Sequence, residues 1–203
     1  MGSKKKKFLE NLYNYDSKSN SYEINLSLRN YEEIYNSYDY SQYKKRDMDE
    51  DFLDYVYQES LGIPLKYNIR LMFHMKKEVY EESKSKSLKN AFKNNFMWRL
   101  SITVQQLKDL YNKCLLLLLA GILFLMSTFI FSEIITINNT FFDVFSESLS
   151  IIGWVFLWDL VEILVFDVTK LQKKKKVLKR LMDSNVGFEA YWWKSWIICI
   201  TVI

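Results

Sequence analysis

Two carboxylates stand in a stretch that is otherwise apolar enough to enter a lipid bilayer. In WDLVEILVFD, at 158–167, Asp159 and Glu162 are three residues apart, so on a helix they share a face. A third acid, Asp167, lies close to Lys170. An acid at the centre of a bilayer costs about 2.5–3.5 kcal/mol on insertion scales, and such residues face a protein interior or a watery cavity rather than lipid. Asp159 and Glu162 are therefore the first candidates for a functional role.

The chemistry of these acids depends on what they face. The first apolar run offers only the hydroxyls of Ser127, Thr128 and Ser132 as polar side chains, and no cation. One hypothesis is a protonated carboxyl bonded to such hydroxyls or to backbone groups. The other is a cation path, which requires several copies of the chain because two helices cannot enclose it. The residues predicted for a pore or an oligomer interface are Asp159, Glu162, Ser127 and Thr128.

The acids belong to the second of two runs that have the length of a membrane span. Residues 114–132 carry no charge, and about 20 helical residues cross a hydrocarbon core. The run 149–168 is as long but includes the three acids. We expect a transmembrane hairpin over 113–169 made of these two helices. Asp159 is then predicted near mid-bilayer, with Glu162 about 4.5 Å closer to the cytoplasm.

Positive charge flanks this hairpin, whereas the loop 133–148 holds acids and no Lys or Arg. Lys108 and Lys113 precede the first helix, and KLQKKKKVLKR follows the second. The positive-inside rule predicts a two-pass protein of the cell inner (plasma) membrane with both termini cytoplasmic. We expect membrane lipid to bind the basic segment. The predicted lipid-binding residues are Lys173, Lys174, Lys175, Lys176, Lys179 and Arg180.

The remaining inventory argues against an enzyme, a metal or a cofactor. There is one histidine, His74, and two cysteines, Cys114 and Cys199, which are too few for a His/Cys metal cluster. No GxSxG, Walker or HExxH motif is present. A calcium loop counted from Asp47 fails because Phe52 and Gln58 occupy the positions of the required Gly and Glu. The basic segment lacks interleaved aromatic residues, so no DNA is expected as a partner.

The polar first half predicts a cytoplasmic α+β domain over 21–112, after a basic flexible N-terminus over 1–20. Alternating apolar residues predict strands at 22–28 and 65–73. The second inward face comprises Leu65, Tyr67, Ile69, Leu71 and Phe73. Two strands with alternating faces predict a small sheet.

Helices are predicted over 30–38 and 47–62, the second capped by Asp47 or Asp49 and ended by Gly62 and Pro64. A longer helical pattern over 77–113 is expected to run into the first transmembrane helix.

The last part, 170–203, is predicted to hold the basic juxtamembrane segment and a strand. The β-branched ending 197–203 favours a strand that returns to the sheet. The alternative is an interfacial anchor with Trp192, Trp193 and Trp196 at headgroup level. The predicted fold class is a membrane α+β protein: a small cytoplasmic sheet with helices, a long juxtamembrane helix, a transmembrane hairpin and a returning C-terminal strand.

Three segments carry a resemblance to a group of small bacterial two-helix membrane proteins of unassigned function. They are NSYDYSQYKKRDMDEDFLDYV, GWVFLWDLVEILVFD and KKKKVLKRL. The resemblance implies a cytoplasmic α+β domain carrying a two-helix hairpin, and it brings no known activity. The second helix of that group usually has fewer acids, so Asp159 departs from its pattern.

The architecture is also similar to small two-helix effectors of bacterial antiphage systems. In those proteins a cytoplasmic part senses a signal, and a membrane part oligomerises and permeabilises. The likeness implies a homo-oligomeric effector or channel gated by its cytoplasmic domain, with a nucleotide or a protein as ligand. The alternative is a membrane-anchored adaptor or scaffold without transport activity.

Overall fold

The computed structural model describes residues 9–40, 46–134 and 140–191, with only the backbone at 132–134. The chain divides into two units. Met1–Leu100 and Lys176–Ile203 form one, here called the sheet unit, and Ser101–Lys175 form the other, here called the hairpin unit. Both ends of the hairpin unit therefore connect to the same sheet unit.

The sheet has four strands in the order β1-β2-β3-β4. β1 pairs antiparallel with β2, whereas β2–β3 and β3–β4 are parallel. The strands are β1 (Tyr15–Asp16), β2 (Ser21–Leu28), β3 (Asn68–Lys76) and β4 (Asn185–Tyr191). The entire hairpin unit lies in the connection between the parallel strands β3 and β4.

The strand at 22–28 is confirmed, and the second strand has the predicted inward face but a later start. Ile69, Leu71 and Phe73 are buried, together with Met75. Leu65 is 44 % exposed because the chain turns after Pro64, where the Tyr67 N–H donates to the Pro64 carbonyl (3.1 Å). The turn delays pairing until Asn68, while the alternation of side chains stays in phase.

The predicted helix over 30–38 is wrong beyond its first turn. A 3-10 turn spans Tyr31–Ile34, capped by Asn30. Tyr35 then takes extended backbone angles and forms an isolated bridge with Met48. The Asn36 side chain accepts from the Tyr38 N–H (2.9 Å), so local polar bonds replace helical ones.

The second predicted helix is present as α1 (Glu50–Gly62), and Asp49 rather than Asp47 caps it. The Asp49 side chain accepts from the Phe52 N–H (3.1 Å). Acids fill the first turn, where they favour the positive end of the helix dipole. α1 packs onto the buried face of the sheet through Leu53 and Val56.

The remaining helices are much longer than the sheet elements. α2 (Glu82–Ile134) has 53 residues. The helix predicted over 77–113 therefore begins later, at Glu82, and continues into the apolar run as expected. α3 (Thr140–Glu162), a π-helical segment (Ile163–Asp167) and α4 (Val168–Met182) follow without a break. The predicted loop at 133–148 is wrong, since helix occupies 140–148. Within the described ranges, two helices are long and apolar enough to cross a membrane.

The core of the sheet unit lies on one face of the sheet. Its helical contributors from α2 and α4 are Leu88, Phe92, Phe96, Val177, Leu178 and Leu181. A strand after the hairpin does join the sheet, but Asn185–Tyr191 forms it. The predicted strand at 197–203, and the alternative tryptophan anchor, lie outside the described residues.

Candidate functional site

The two arms of the hairpin unit meet at a pair of glycines. A Cβ on Gly121 would lie 2.9 Å from Leu157 Cδ2 and 3.3 Å from the Gly153 carbonyl. A Cβ on Gly153 would lie 2.8 Å from Leu125 Cγ and 3.2 Å from the Gly121 carbonyl. Side chains at either position would push the helices apart, so glycine permits a close backbone approach of the kind seen between membrane helices.

Apolar packing continues on both sides of the glycine pair. We call this packed face the seam; its buried residues are Leu107, Cys114, Leu117, Ile163 and Val168. On one side the rings of Phe131 and Phe145 meet edge to face with centroids 5.9 Å apart. On the other, Gln172 Nε2 donates to the Tyr111 hydroxyl oxygen (2.9 Å). The seam therefore joins α2 to α3, the π segment and α4.

The π segment contains one residue more than a regular helical turn, and this keeps the residues before and after it on the same face, in the seam. Ile163 and Val168 are both buried although they are five residues apart. In a regular α-helix, five residues at 100° each would leave them about 140° apart. The Val168 N–H donates instead to the Ile163 carbonyl, the i to i+5 bond of a π-turn. Single π-turns often occur at functional sites, and this one immediately follows Glu162.

Asp159 and Glu162 are both exposed outside the seam, whereas Gly153 and Ile163 are buried. Asp159 follows Gly153 by six residues and Glu162 by nine, which places them about 120° and about 180° around the helix from it. Glu162 therefore lies opposite Gly153, whereas Asp159 lies at the flank of the seam, about 40° around the helix from Ile163. The third acid, Asp167, is also exposed. Both candidate acids therefore lie on an outer surface of the single chain.

The predicted hydroxyls do not meet these acids within one chain. Ser127 Oγ donates to the Phe124 carbonyl (2.6 Å), and Thr128 Oγ1 donates to the Leu125 carbonyl (2.6 Å). Because the arms are antiparallel, Ser127 and Asp159 lie on opposite sides of the glycine pair. At six residues each, they are about 18 Å apart along the axis. An intrachain bond from either acid to these hydroxyls is thus ruled out.

The predicted lipid-binding residues separate into two groups. Lys173–Lys176 and Lys179 are exposed on α4. Arg180 instead bonds four backbone carbonyls at the end of α1, those of Ser60 (2.6 Å), Pro64 (2.9 Å), Ile63 (3.0 Å) and Tyr67 (3.4 Å). Burial lowers the pKa of the Arg180 guanidinium. This side chain closes the carboxyl end of α1, a role that has no local signal in the sequence.

His74 links two strands on the outer face of the sheet. Its Nε2 lies 2.9 Å from Asn25 Oδ1 of β2, and its Nδ1 lies 3.3 Å from Glu189 Oε2 of β4. These contacts orient the ring without bringing a cysteine or a metal-binding cluster to it. Among the described residues, no group of three or more His, Cys, Asp or Glu side chains is placed to hold a metal ion.

A groove on the sheet unit lies beside β2. Its volume is about 360 Å³, and Phe52 and Tyr55 of α1 form one wall. The consecutive β2 residues 25–28 and Phe73 of β3 also line it. The sequence pattern predicted β2 and α1 but not the space between them.

No family model, curated protein or solved structure matches the chain. The likeness to two-helix bacterial membrane proteins remains an expectation from the sequence. Function must be inferred from the hairpin and from the groove beside β2.

Proposed function

We propose that the chain is a homo-oligomeric integral membrane effector or channel, in which α3 lines a cation path and the sheet unit gates it. The observation that carries the proposal is the exposure of Asp159 and Glu162 on the surface of α3 outside the seam. A bilayer around a single chain would place hydrocarbon against at least one of these acids.

The outer surface of the hairpin unit supports insertion into a membrane. Leu123, Phe129, Trp154 and Trp158 are each more than 60 % exposed. In the most apolar 18-residue stretch of each long helix, only 17 % and 11 % of the residues are buried. A water-soluble chain rarely exposes so much contiguous apolar surface, whereas lipid would cover it.

The glycine pair supports a revised depth for the acids. The uncharged run 114–132 has its middle close to Gly121, so Gly153 is expected near mid-bilayer. Asp159 would then lie about 9 Å, and Glu162 about 13.5 Å, from the bilayer centre. With a hydrocarbon half-thickness of about 15 Å, Glu162 approaches the headgroups, while Asp159 stays within hydrocarbon. Asp159 is therefore the acid that most needs a polar environment.

Further copies of the chain would supply that environment. The hairpin unit carries no Lys or Arg between Lys113 and Lys170, so one chain holds no cationic partner at the depth of Asp159. A ring of chains with α3 inward would gather the acids around water and keep the seam intact. Carboxylate rings of this kind select cations. The basic residues at both ends of the hairpin favour cytoplasmic termini.

Conductance of the purified full chain in planar bilayers tests the proposal. We expect cation-selective currents that fall strongly when Asp159→Asn is combined with Glu162→Gln. The matched control is Asp143→Asn, which changes an acid near the start of α3. A protein that conducts nothing, or currents that the double variant leaves unchanged, would refute the channel.

A second candidate is a membrane-anchored adaptor, and the groove beside β2 favours it. In this case the hairpin serves only to hold the sheet unit at the membrane. Replacing 101–175 by an unrelated two-helix anchor would then preserve the cellular function. Loss of function after that exchange would exclude the adaptor.

A further inference from the structure

β2 has an open edge beyond its first residues. It pairs with β3 along its whole length but with β1 only at Ser21 and Tyr22. The Glu23 N–H still reaches the Asn14 carbonyl (2.9 Å). Past Glu23, no strand in the described part of the chain pairs with this edge.

The direction of the backbone groups follows from two hydrogen bonds. The Asn68 N–H donates to the Asn20 carbonyl (3.0 Å), so even-numbered residues of β2 direct their backbone groups toward β3. The bond from Glu23 to Asn14 confirms that odd-numbered residues point the other way. The N–H and C=O of Asn25 and Ser27 therefore point out of the sheet, and Asn25 and Ser27 are both exposed.

These outward groups open into the groove of about 360 Å³ between β2 and α1. Consecutive residues of a strand line one groove only where the edge itself is accessible. Leu28, Ile34 and Phe52 supply apolar lining beside the backbone groups. Backbone donors and acceptors next to apolar lining are the two requirements of strand addition.

We propose that this groove binds an extended peptide segment of a partner protein, which adds to the sheet as a strand beside β2. Natural sheets protect open edges with lysine, proline or a covering element. The edge sequence Asn25–Leu28 has neither lysine nor proline. An unprotected sheet edge beside a groove is suited to bind a strand that another protein contributes.

The charge around the groove indicates a basic segment. Glu33 lines it, and Asp51 lies one turn before Tyr55 on α1. Both carboxylates are on exposed residues, and the Glu33 carboxylate accepts from the Arg29 N–H (3.1 Å). The fitting ligand is an extended peptide with apolar side chains at alternate positions and lysine or arginine between them.

This inference deepens the proposed function, because it names the partner class that the sheet unit would receive. It rests on the backbone of β2 and not on the acids of α3. A binding measurement can therefore fail while conductance persists, and conductance can fail while binding persists.

The test uses the full chain in uncharged detergent and a synthetic heptapeptide of alternating lysine and valine. Fluorescence anisotropy of the labelled peptide gives the dissociation constant. Ser27→Pro removes one outward N–H and blocks the edge, whereas the matched control Ser27→Thr keeps the N–H. We expect binding at least about tenfold weaker for Ser27→Pro and unchanged for Ser27→Thr.

A second arm does not depend on how Ser27→Pro folds. The same heptapeptide methylated at every backbone nitrogen keeps its side chains but loses all its backbone donors, and its binding to the unchanged chain should be lost. A glutamate–valine peptide should bind more weakly than the lysine–valine peptide. Equal binding of the N-methylated peptide, or none of the lysine–valine peptide, would overturn the proposal. So would amide protection at Ser27 that rises with protein concentration without peptide, because a second copy would then occupy the edge.

Discussion

The backbones of Gly121 and Gly153 are in contact: a Cβ on either residue would lie within 3.3 Å of the carbonyl oxygen of the other. The two glycines lie near the middle of their apolar helices, and apolar packing extends from them in both directions. Their contact sets the register of the hairpin, and under the proposed insertion that register determines how deep each acid of α3 would lie in the membrane.

Enlarging Gly153 should separate the arms of the hairpin. For Gly153→Leu we expect a loss of about 3 kcal/mol in the free energy of unfolding, because overpacking forces backbone shifts. The measurement is reversible unfolding in mixed micelles. Val155→Leu is the matched control, since Val155 is 61 % exposed and faces away from the seam. Equal stability of the two variants would mean that the glycine contact is dispensable.

The π segment should tolerate the deletion of one residue, whereas a deletion in a regular part of the helix should disrupt the packing of the seam. Deleting Leu164 leaves Ile163 and Val168 four apart, and both can stay in the seam of an unbroken α-helix. We expect stability within about 1 kcal/mol of the parent chain. Deleting Val155 instead rotates Gly153 by about 100° relative to Ile163 and should prevent stable packing. The thermal unfolding midpoints of the two deletions distinguish these outcomes.

The sequence predicts the periodic parts of this fold better than its interruptions. Alternation placed the inward face of β3 correctly, yet it missed the turn after Pro64 that delays the strand. Apolar length identified both long helices, but the acids Asp143 and Glu147 suggested a loop where α3 already runs. β4 was not predicted from the sequence, because this edge strand has a single buried residue, Val186, and so shows little alternation of apolar and polar side chains. Tertiary pairing, rather than local propensity, decides such segments.

The candidate site shows the same division. A three-residue spacing was enough to place Asp159 and Glu162 close together on α3. It could not give the depth of the acids, which depends on the glycine contact. The π-turn has no propensity signal, since only the burial of Ile163 and Val168 reveals the extra residue. Arg180 resembles its basic neighbours in sequence, and only the fold shows that its bonds are internal.

Asp159 and Glu162 should contribute unequally to assembly. In the proposed membrane arrangement Asp159 lies about 4.5 Å further from the headgroups than Glu162. It therefore gains more from the polar environment that neighbouring copies supply, and its neutral replacement should disturb the assembled channel more. We expect Asp159→Asn to lower channel conductance more than Glu162→Gln does. Single-channel recordings of the two single variants provide the comparison. A larger effect of Glu162→Gln would contradict the depth inferred from the glycine pair.

Arg180 should matter for the stability of the sheet unit rather than for lipid binding. Arg180→Met leaves carbonyls of Ser60, Ile63, Pro64 and Tyr67 without their charged donor, at a cost of about 3 kcal/mol in unfolding free energy. The neighbouring Lys179→Met, on an exposed side chain, should cost almost nothing. Chemical denaturation measures stability, and flotation with anionic vesicles measures binding. Weakened flotation with unchanged stability for Arg180→Met would contradict this role.

Tyr13 should make the sheet unit lose stability in strong alkali. Burial, followed by the hydrogen bond from its hydroxyl to Glu59 (2.8 Å), raises the pKa of Tyr13 to about 12. The unfolded chain loses this proton near its ordinary pKa of 10.0, while the folded chain keeps it. The contribution is therefore complete below pH 10 and disappears between pH 10 and about 12. Tyr13→Phe should cost about 1 kcal/mol at neutral pH and show a shallower alkaline decline. Tyr38→Phe, at a 96 % exposed site, is the control. Denaturant titrations across this pH range measure the free energy of unfolding at each pH. If it declined with pH as steeply in both variants as in the parent chain, the assignment to Tyr13 would be wrong.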